Sequence, residues 1–183
     1  VLEKQTGQNV YDVYAKDLAV PLGFQDFVRK RHNKTGDLER SQYLAYHFHV
    51  SNRDMARIGY LMLNDGQWFG EQVVDADWIK TIRSTFTPLE ELNPPGMRKG
   101  KFAYAYMWWT YAGDDERLAG AYLASGYYGQ FILVVPEFDM VLAHKTAPST
   151  LERIKHEDDP DTISVSTEKF MEMVTAVLDA KQD

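Results

Sequence analysis

"LASGYYGQFILVVPEFDMVLA", Leu123 to Ala143, decides the architecture of this chain. Phe131 to Val135 is an unbroken apolar run of strand length, the pattern expected of a strand covered on both faces. Pro136-Glu137-Phe138-Asp139 has turn composition and a second apolar run starts at Met140, so the spacing predicts an antiparallel hairpin. Ahead of it, Ala124-Ser125-Gly126-Tyr127-Tyr128-Gly129-Gln130 sets two glycines around two tyrosines. Glycine admits positive φ or a close backbone approach. The segment therefore has two readings: a bulge or turn between core strands, or a strand edge offering backbone groups to an extended ligand.

Working outward, Phe102 to Thr110, Leu118 to Leu123, Gln130 to Val135 and Met140 to Thr146 read as strands. Gly113-Asp114-Asp115 supplies another hairpin turn. A charged loop, "HEDDPD" at 156–161, precedes a last helix whose Phe170, Met173, Val174, Val177 and Leu178 recur at i, i+3, i+4, i+7, i+8. Toward the amino terminus the period changes. Asn9 with Asp12 resembles a capping box before Val10, Val13, Tyr14 and Leu18, and Pro21 and Gly23 end that helix. Residues 25–46 read as a polar, irregular cover. Ser51 with Asp54 opens the strongest helix, "SNRDMARIGYLMLNDG", with Met55, Ile58, Gly59 and Met62 on one stripe; Gly59 would admit a closely packed neighbour, and Asn64-Asp65-Gly66 stops the helix. Asp75 caps a third helix through Trp78, Ile79 and Ile82, and a Pro/Gly-rich loop follows from Thr87 to Lys101. The fold class is α+β: helices, then an antiparallel sheet with a closing carboxy-terminal helix. Residues 1–183 form one domain, mainly helical over 1–101 and sheet plus helix over 102–183.

At 183 residues with 44 % hydrophobic content, the chain is long enough to bury a sizeable core. A net charge of -7 argues against nucleic acid or an anionic membrane as partner. No apolar run approaches the roughly 18 residues of a membrane span. With no cysteine, disulfides and thiolate zinc sites are excluded, while cytoplasm and periplasm remain equally compatible. The opening "VLEKQTG" reads as the tail of a helix closed by Gly7, so a fragment or processed chain is expected.

Nucleophile motifs are sparse. There is no G-x-S-x-G elbow, no H-E-x-x-H and no phosphate loop. Ser166-Thr167-Glu168-Lys169 is the single S-x-x-K, and a serine beginning the terminal amphipathic helix is more simply an N-cap. His47 and His49 place two rings on one strand face as for a metal, with no evident third ligand. Ser125, Asp139 and His144 make a triad only on paper, since Ser125 has no elbow.

The chain resembles the carboxy-terminal part of the serine β-lactamase-like hydrolases, the group of class C β-lactamases, D-alanyl-D-alanine peptidases, esterases and 6-aminohexanoate-dimer hydrolases. "VLEKQTGQNVYDVYAKDLAVPLGFQDF" is similar to that family's E-x-x-T-G … Y … PLG segment. "SNRDMARIGYLMLNDGQWFGEQVVDADWI" is similar to its S-x-x-D-M-A-R-x-G … W segment, and "YMWW" and "ASGYYGQFILVVPEFDMVLA" to its W-W strand and A-x-G-x-x-G-Q hairpin. The esterase and aminohexanoate-hydrolase branch is the nearest.

The resemblance implies that residues 1–183 are the carboxy-terminal portion of a larger domain of β-lactamase/transpeptidase-like fold, and that the parent protein works through an acyl-enzyme on a small ester or amide, with no cofactor and no metal. The attacking Ser and Lys of S-x-x-K and the Tyr of Y-x-[NS] lie, in that family, ahead of the segment with which this sequence begins. This chain has no Y-x-[NS], so by itself it is expected not to hydrolyse. The third motif, K-T-G or H-x-G in relatives, falls on Ala124-Ser125-Gly126, and the Tyr127 backbone N–H would be one oxyanion-hole donor. Ala124 lacks the cation that grips a substrate carboxylate, which favours uncharged esters and amides. Trp109, Tyr127, Tyr128 and Gln130 would shape the cleft wall. Association is expected too, as a dimer or with an amino-terminal segment, because the family's sheet includes further strands. A non-catalytic binding or scaffolding module is the alternative.

Overall fold

The computed structural model describes residues 2–146 and 165–182, so the 156–161 loop lies outside the described residues. The chain is α+β, with a five-stranded antiparallel sheet and a carboxy-terminal helix. The strands are β5 (Phe102–Ala105), β6 (Trp108–Tyr111), β7 (Tyr122–Gly126), β8 (Gln130–Val135) and β9 (Met140–His144), paired in that order. Two small hairpins precede them: β1 (Asn33–Thr35) with β2 (Ala45–His47), and β3 (Gln67–Trp68) with β4 (Glu71–Gln72). The helices are α1 (Leu2–Thr6), α2 (Val10–Tyr14, continued by a π-turn over Ala15–Ala19), α3 (Asn52–Leu63), α4 (Ala76–Ile82) and α5 (Thr167–Gln182).

Strand alternation sorts the core into two layers. Leu123, Phe131, Leu133 and Val135 face α5, where Phe170, Val174 and Leu178 are buried against them. Tyr122 and Val134 face the other way, onto Met62 of α3 and Ile79 and Ile82 of α4. The Phe131 and Phe170 rings stack at 4.6 Å, fixing α5 to the middle of the sheet. The buried Tyr122 hydroxyl donates to the Met62 carbonyl at 2.9 Å, adding to the 3.3 Å bond that this carbonyl accepts from the Asp65 amide at the end of α3.

Local chemistry explains most boundaries. The Ser51 hydroxyl accepts the Asp54 amide, and Asp75 accepts the Trp78 amide at 2.9 Å, so both helices start at the residues that the capping pattern marks. Asp65 (φ 50) and Gly66 (φ 82) turn the chain out of α3. Gly59 is the close approach: a Cβ there would overlap the Val141 side chain and meet Ile132 Cγ2 at 2.9 Å.

Five expectations need correction. Phe102 to Thr110 is not one strand but a hairpin, because Tyr106 (φ 44) and Met107 (φ 73) both adopt the left-handed conformation of a two-residue turn. Neither residue type announces that turn. The next strand begins at Tyr122 rather than Leu118, since Asp115 caps a short 3-10 turn over Glu116–Leu118 by accepting the Arg117 amide. Strand β7 consequently takes in Ala124, Ser125 and Gly126 and leaves only Tyr127, Tyr128 and Gly129 as the bend. Residues 25–46 are not irregular throughout: they hold β1 and, with His47, β2, whose largely exposed residues carry no apolar alternation to read. In α5 the buried stripe is narrower than its period suggests, with Met173 and Val177 each 43 % exposed.

Replacing Gly59 with Ala is expected to destabilise the fold by about 1–3 kcal/mol in urea unfolding, the cost of overpacking a filled contact. Adding Val141→Ala should recover part of that loss, because it removes the atoms the new Cβ meets; strictly additive losses would count against the contact.

Candidate functional site

The β5–β6 turn sets where β6 begins, and that sets what β7 shows. Leu123 pairs with Trp109, the last registered pair before β6 begins at Trp108, and no registered β6 partner continues along Ala124–Gly126. The Tyr111 amide donates to the Ala121 carbonyl at 2.8 Å, so the backbone of residues 121, 123 and 125 points toward β6 by strand alternation. At Ser125 that edge runs past the end of β6.

The bend beyond it is clamped. Tyr128 (φ 64) and Gly129 (φ 72) both sit in the left-handed region. Each of the three bend carbonyls accepts a side-chain hydrogen bond: Tyr127 O from Gln130 Nε2 at 3.0 Å, Tyr128 O from the Thr146 hydroxyl at 2.6 Å, and Gly129 O from His144 Nδ1 at 2.7 Å. The last bond makes Nδ1 the protonated nitrogen of His144, because a carbonyl only accepts. A Cβ on Gly129 would meet Val165 N and O at 2.8 and 2.7 Å, so the approach of the segment leading into α5 requires glycine.

Two cavities open on the α5 side of the sheet. The smaller, about 440 Å³, is lined by Trp109, Ser125, Gly126, Tyr127 and Tyr128 together with Val165 to Glu168. The larger, about 670 Å³, has Phe102, Trp109, Tyr111 and Leu123 on the sheet side, with Met97 and Lys99 on one wall and Glu168 and Met171 on another. Trp109, Ser125, Thr167 and Glu168 belong to both, so the two form one groove across the first turn of α5. Volumes of this size suit a small molecule bound on aromatic surface with a few hydroxyl and charged groups.

Of the residues singled out in the sequence, Trp109, Ser125, Gly126, Tyr127 and Tyr128 converge on this groove. Ala124 does not: it pairs with Ile132, which faces α3, and so lies on the opposite face. Gln130 is turned back onto the bend and lines neither cavity. Ser125 and His144 are each paired to Phe131, from opposite sides, which leaves a whole strand between them and no triad. His47 Nε2 bonds the Thr35 hydroxyl and His49 Nε2 the Asn33 side chain. Among the described residues no group of three or more His, Asp or Glu is placed to hold a metal. The S-x-x-K resolves as a cap: Ser166 Oγ accepts the Lys169 amide at 3.2 Å, and the Lys169 ammonium turns to Glu172 at 2.6 Å. Sequence reasoning missed the Thr146 and His144 clamps and the α5 wall, for which no local signal exists.

No protein-family profile matches the sequence, and no curated protein matches it. Among solved structures, the chain is similar to a putative 6-aminohexanoate-dimer hydrolase from Bacillus anthracis, at 24 % identity and a TM-score of 0.49 over 73 % of this chain. The match covers 31 % of that protein, so this chain spans about a third of its length.

Ser166→Ala is expected to lower stability by about 1 kcal/mol through the lost cap, whereas Lys169→Met should shift it by less than about 0.5 kcal/mol because its ion pair is exposed. Thermal unfolding of the two variants separates a cap from a coupled Ser–Lys pair, which would make both costly.

Proposed function

We propose that this chain is the carboxy-terminal sheet-and-helix portion of a β-lactamase-related serine hydrolase that cleaves an ester or amide through an acyl-enzyme. On this reading the nucleophilic Ser and Lys and the proton-transferring Tyr come from polypeptide ahead of residue 1. The observation that carries the reading is the β7 edge at Ser125-Gly126, which extends beyond β6 into an aromatic-walled groove. That edge coincides with the motif the sequence likens to K-T-G.

Each residue then has a task. The Tyr127 amide supplies one hydrogen bond to the oxygen that becomes negative when the carbonyl is attacked, and the nucleophilic serine's own amide supplies the other. One such donor is worth about 3 kcal/mol of transition-state stabilisation. Its value depends on being fixed in advance, and the Gln130, Thr146 and His144 bonds to the bend carbonyls support that role. Trp109 and Tyr128 present apolar wall, and Ser125 a hydroxyl. Ala124, turned to the α3 face, contributes backbone to the edge and no side chain to the groove.

The same edge serves the second reading, a non-catalytic binding module in which an extended peptide pairs along Ala124–Gly126. Strand β9 has β8 on one side and no strand on the other among the described residues, which favours a further strand or a second copy there.

The test is hydrolysis of p-nitrophenyl butyrate, with fluorophosphonate labelling, by this chain and by the full gene product containing it. The chain alone should be inactive and unlabelled; the gene product should turn over and label at an upstream S-x-x-K serine. In the gene product, Tyr127→Pro, which deletes the amide hydrogen, should cut kcat by about a hundredfold, while Tyr127→Phe leaves it nearly unchanged. A gene product without an upstream S-x-x-K, or one labelled at Ser125, would overturn the hydrolase reading.

A further inference from the structure

His32 is 5 % exposed and sits inside an aromatic cluster far in sequence from the groove. Its ring stacks on Tyr11 of α2 at 5.6 Å and lies 4.9 Å from Phe27. The Tyr14 and Phe48 rings are each 5.9 Å away, and His49 is at 6.2 Å. Two features fix its protonation. The His49 amide donates to His32 Nδ1 at 3.0 Å, so Nδ1 must keep its lone pair and the proton sits on Nε2. Nε2 is buried and has no hydrogen-bond partner among the described residues. A second proton could enter only at Nδ1, where it would point at the His49 N–H and break that bond.

The charged groups around the ring oppose a positive charge. Arg29 lies beside it, its guanidinium 5.1 Å from the Tyr11 ring and engaged with Asp12. His49 in turn faces His47, Arg31 and Lys145. Asp54 of α3 is the acidic group on the Tyr14 side, but its oxygens are taken by the Gln25 and Asp26 amides and by Arg57. The His47 carbonyl is the group that favours the charged ring. In balance His32 and His49 are both held below the ordinary histidine value, burial being the largest cause for each.

What the bond holds is a span of chain with a tie to the groove. His49 lies two residues beyond β2, and the next residue, Val50, accepts a hydrogen bond from the Lys145 ammonium at 2.6 Å through its carbonyl. Lys145 stands between the two clamp residues, His144 and Thr146.

We propose that His32 is an acid-sensitive latch: its protonation breaks the His49 N–H bond that closes residues 24–50 on themselves, loosens that segment, and slackens the Val50–Lys145 tie behind the Tyr127–Gly129 bend. The sign follows from linkage. A base whose folded pKa is depressed binds more protons unfolded, so the latch is fully closed above the ordinary value of 6.5 and weakens as pH falls below it toward the folded pKa. The window is distinct from that of Glu3, whose carboxylate is bonded to Lys34 and Tyr46 and held down to about 2, and which gives way only below about pH 4.5.

Hydrogen exchange on this chain between pH 7.5 and 5, corrected for intrinsic rates, tests the latch. Amides of residues 24–50 should lose several-fold protection between pH 7 and 5.5, up to the roughly eightfold that one titrating histidine allows, while those of β8 do not. His32→Asn places Oδ1 where Nδ1 sits and cannot titrate, so its 24–50 protection should keep only the shallower pH dependence that His49 contributes. Unchanged wild-type protection down to pH 5, or an Asn variant with the wild-type pH dependence, overturns the proposal. If the variant does not fold, NMR titration of the wild-type His32 ring decides: a ring that protonates with the His49 amide signal unmoved refutes it.

Discussion

The constraint on which this fold rests is that β8 is covered on both faces. Phe131 to Val135 are all buried, with Phe131, Leu133 and Val135 turned to one side and Ile132 and Val134 to the other. A strand with apolar side chains on both faces is stable only between two layers, because either bare face would leave several large side chains in water at about 25 cal/mol per Å². Helix α5 meets one demand and the α3–α4 pair the other. Gly59 follows from the same constraint: α3 can lie on Ile132 and Val141 only where it has no side chain of its own.

With β8 and its neighbours fixed, the groove comes from strands of unequal reach. Strand β7 runs to Gly126, whereas its partner β6 cannot start before Trp108, because Tyr106 and Met107 are spent on the tight turn from β5. The difference exposes the β7 edge at Ser125. Ordering the bend next to it requires side chains from β8 (Gln130), β9 (His144) and just beyond β9 (Thr146), and a glycine at 129 that admits the approach to α5. Those ligands converge only once the sheet and α5 are assembled, so the precision of the bend is a product of tertiary packing rather than of local turn preference.

That distinction explains what could be read from the residues. Helix starts at Ser51 and Asp75, the doubly covered strand, the Gly59 contact and the Ser166 cap were all legible, because each depends on neighbours within a few positions or on a periodic pattern. The β5–β6 turn was not, since Tyr and Met at positive φ contradict residue preference and are held there by strand pairing on both sides. The narrow α5 stripe was not, because period reveals which side chains share a face but not how broad a surface awaits them. The groove was half legible: glycine spacing marked the β7–β8 bend, while Thr146, His144 and Glu168 reach it from 15 or more residues away.

The amino-terminal third obeys a different economy. Beyond Tyr11, Ala19 and Leu22 it buries few side chains, and polar groups do the joining. Asp54 carries the largest share: a carboxylate 1 % exposed that accepts two consecutive backbone amides and Arg57, fastening residues 25 and 26 to α3. Hydrogen bonds to a charged group contribute more than neutral ones, and removing one partner leaves the other desolvated. A region fastened this way is directional and locally cooperative, but it responds to protonation where an apolar core would not. The sheet and its two helical layers hold the groove's floor by apolar packing, while its rear support, through Val50 and Lys145, is drawn from the part of the molecule that polar bonds fasten.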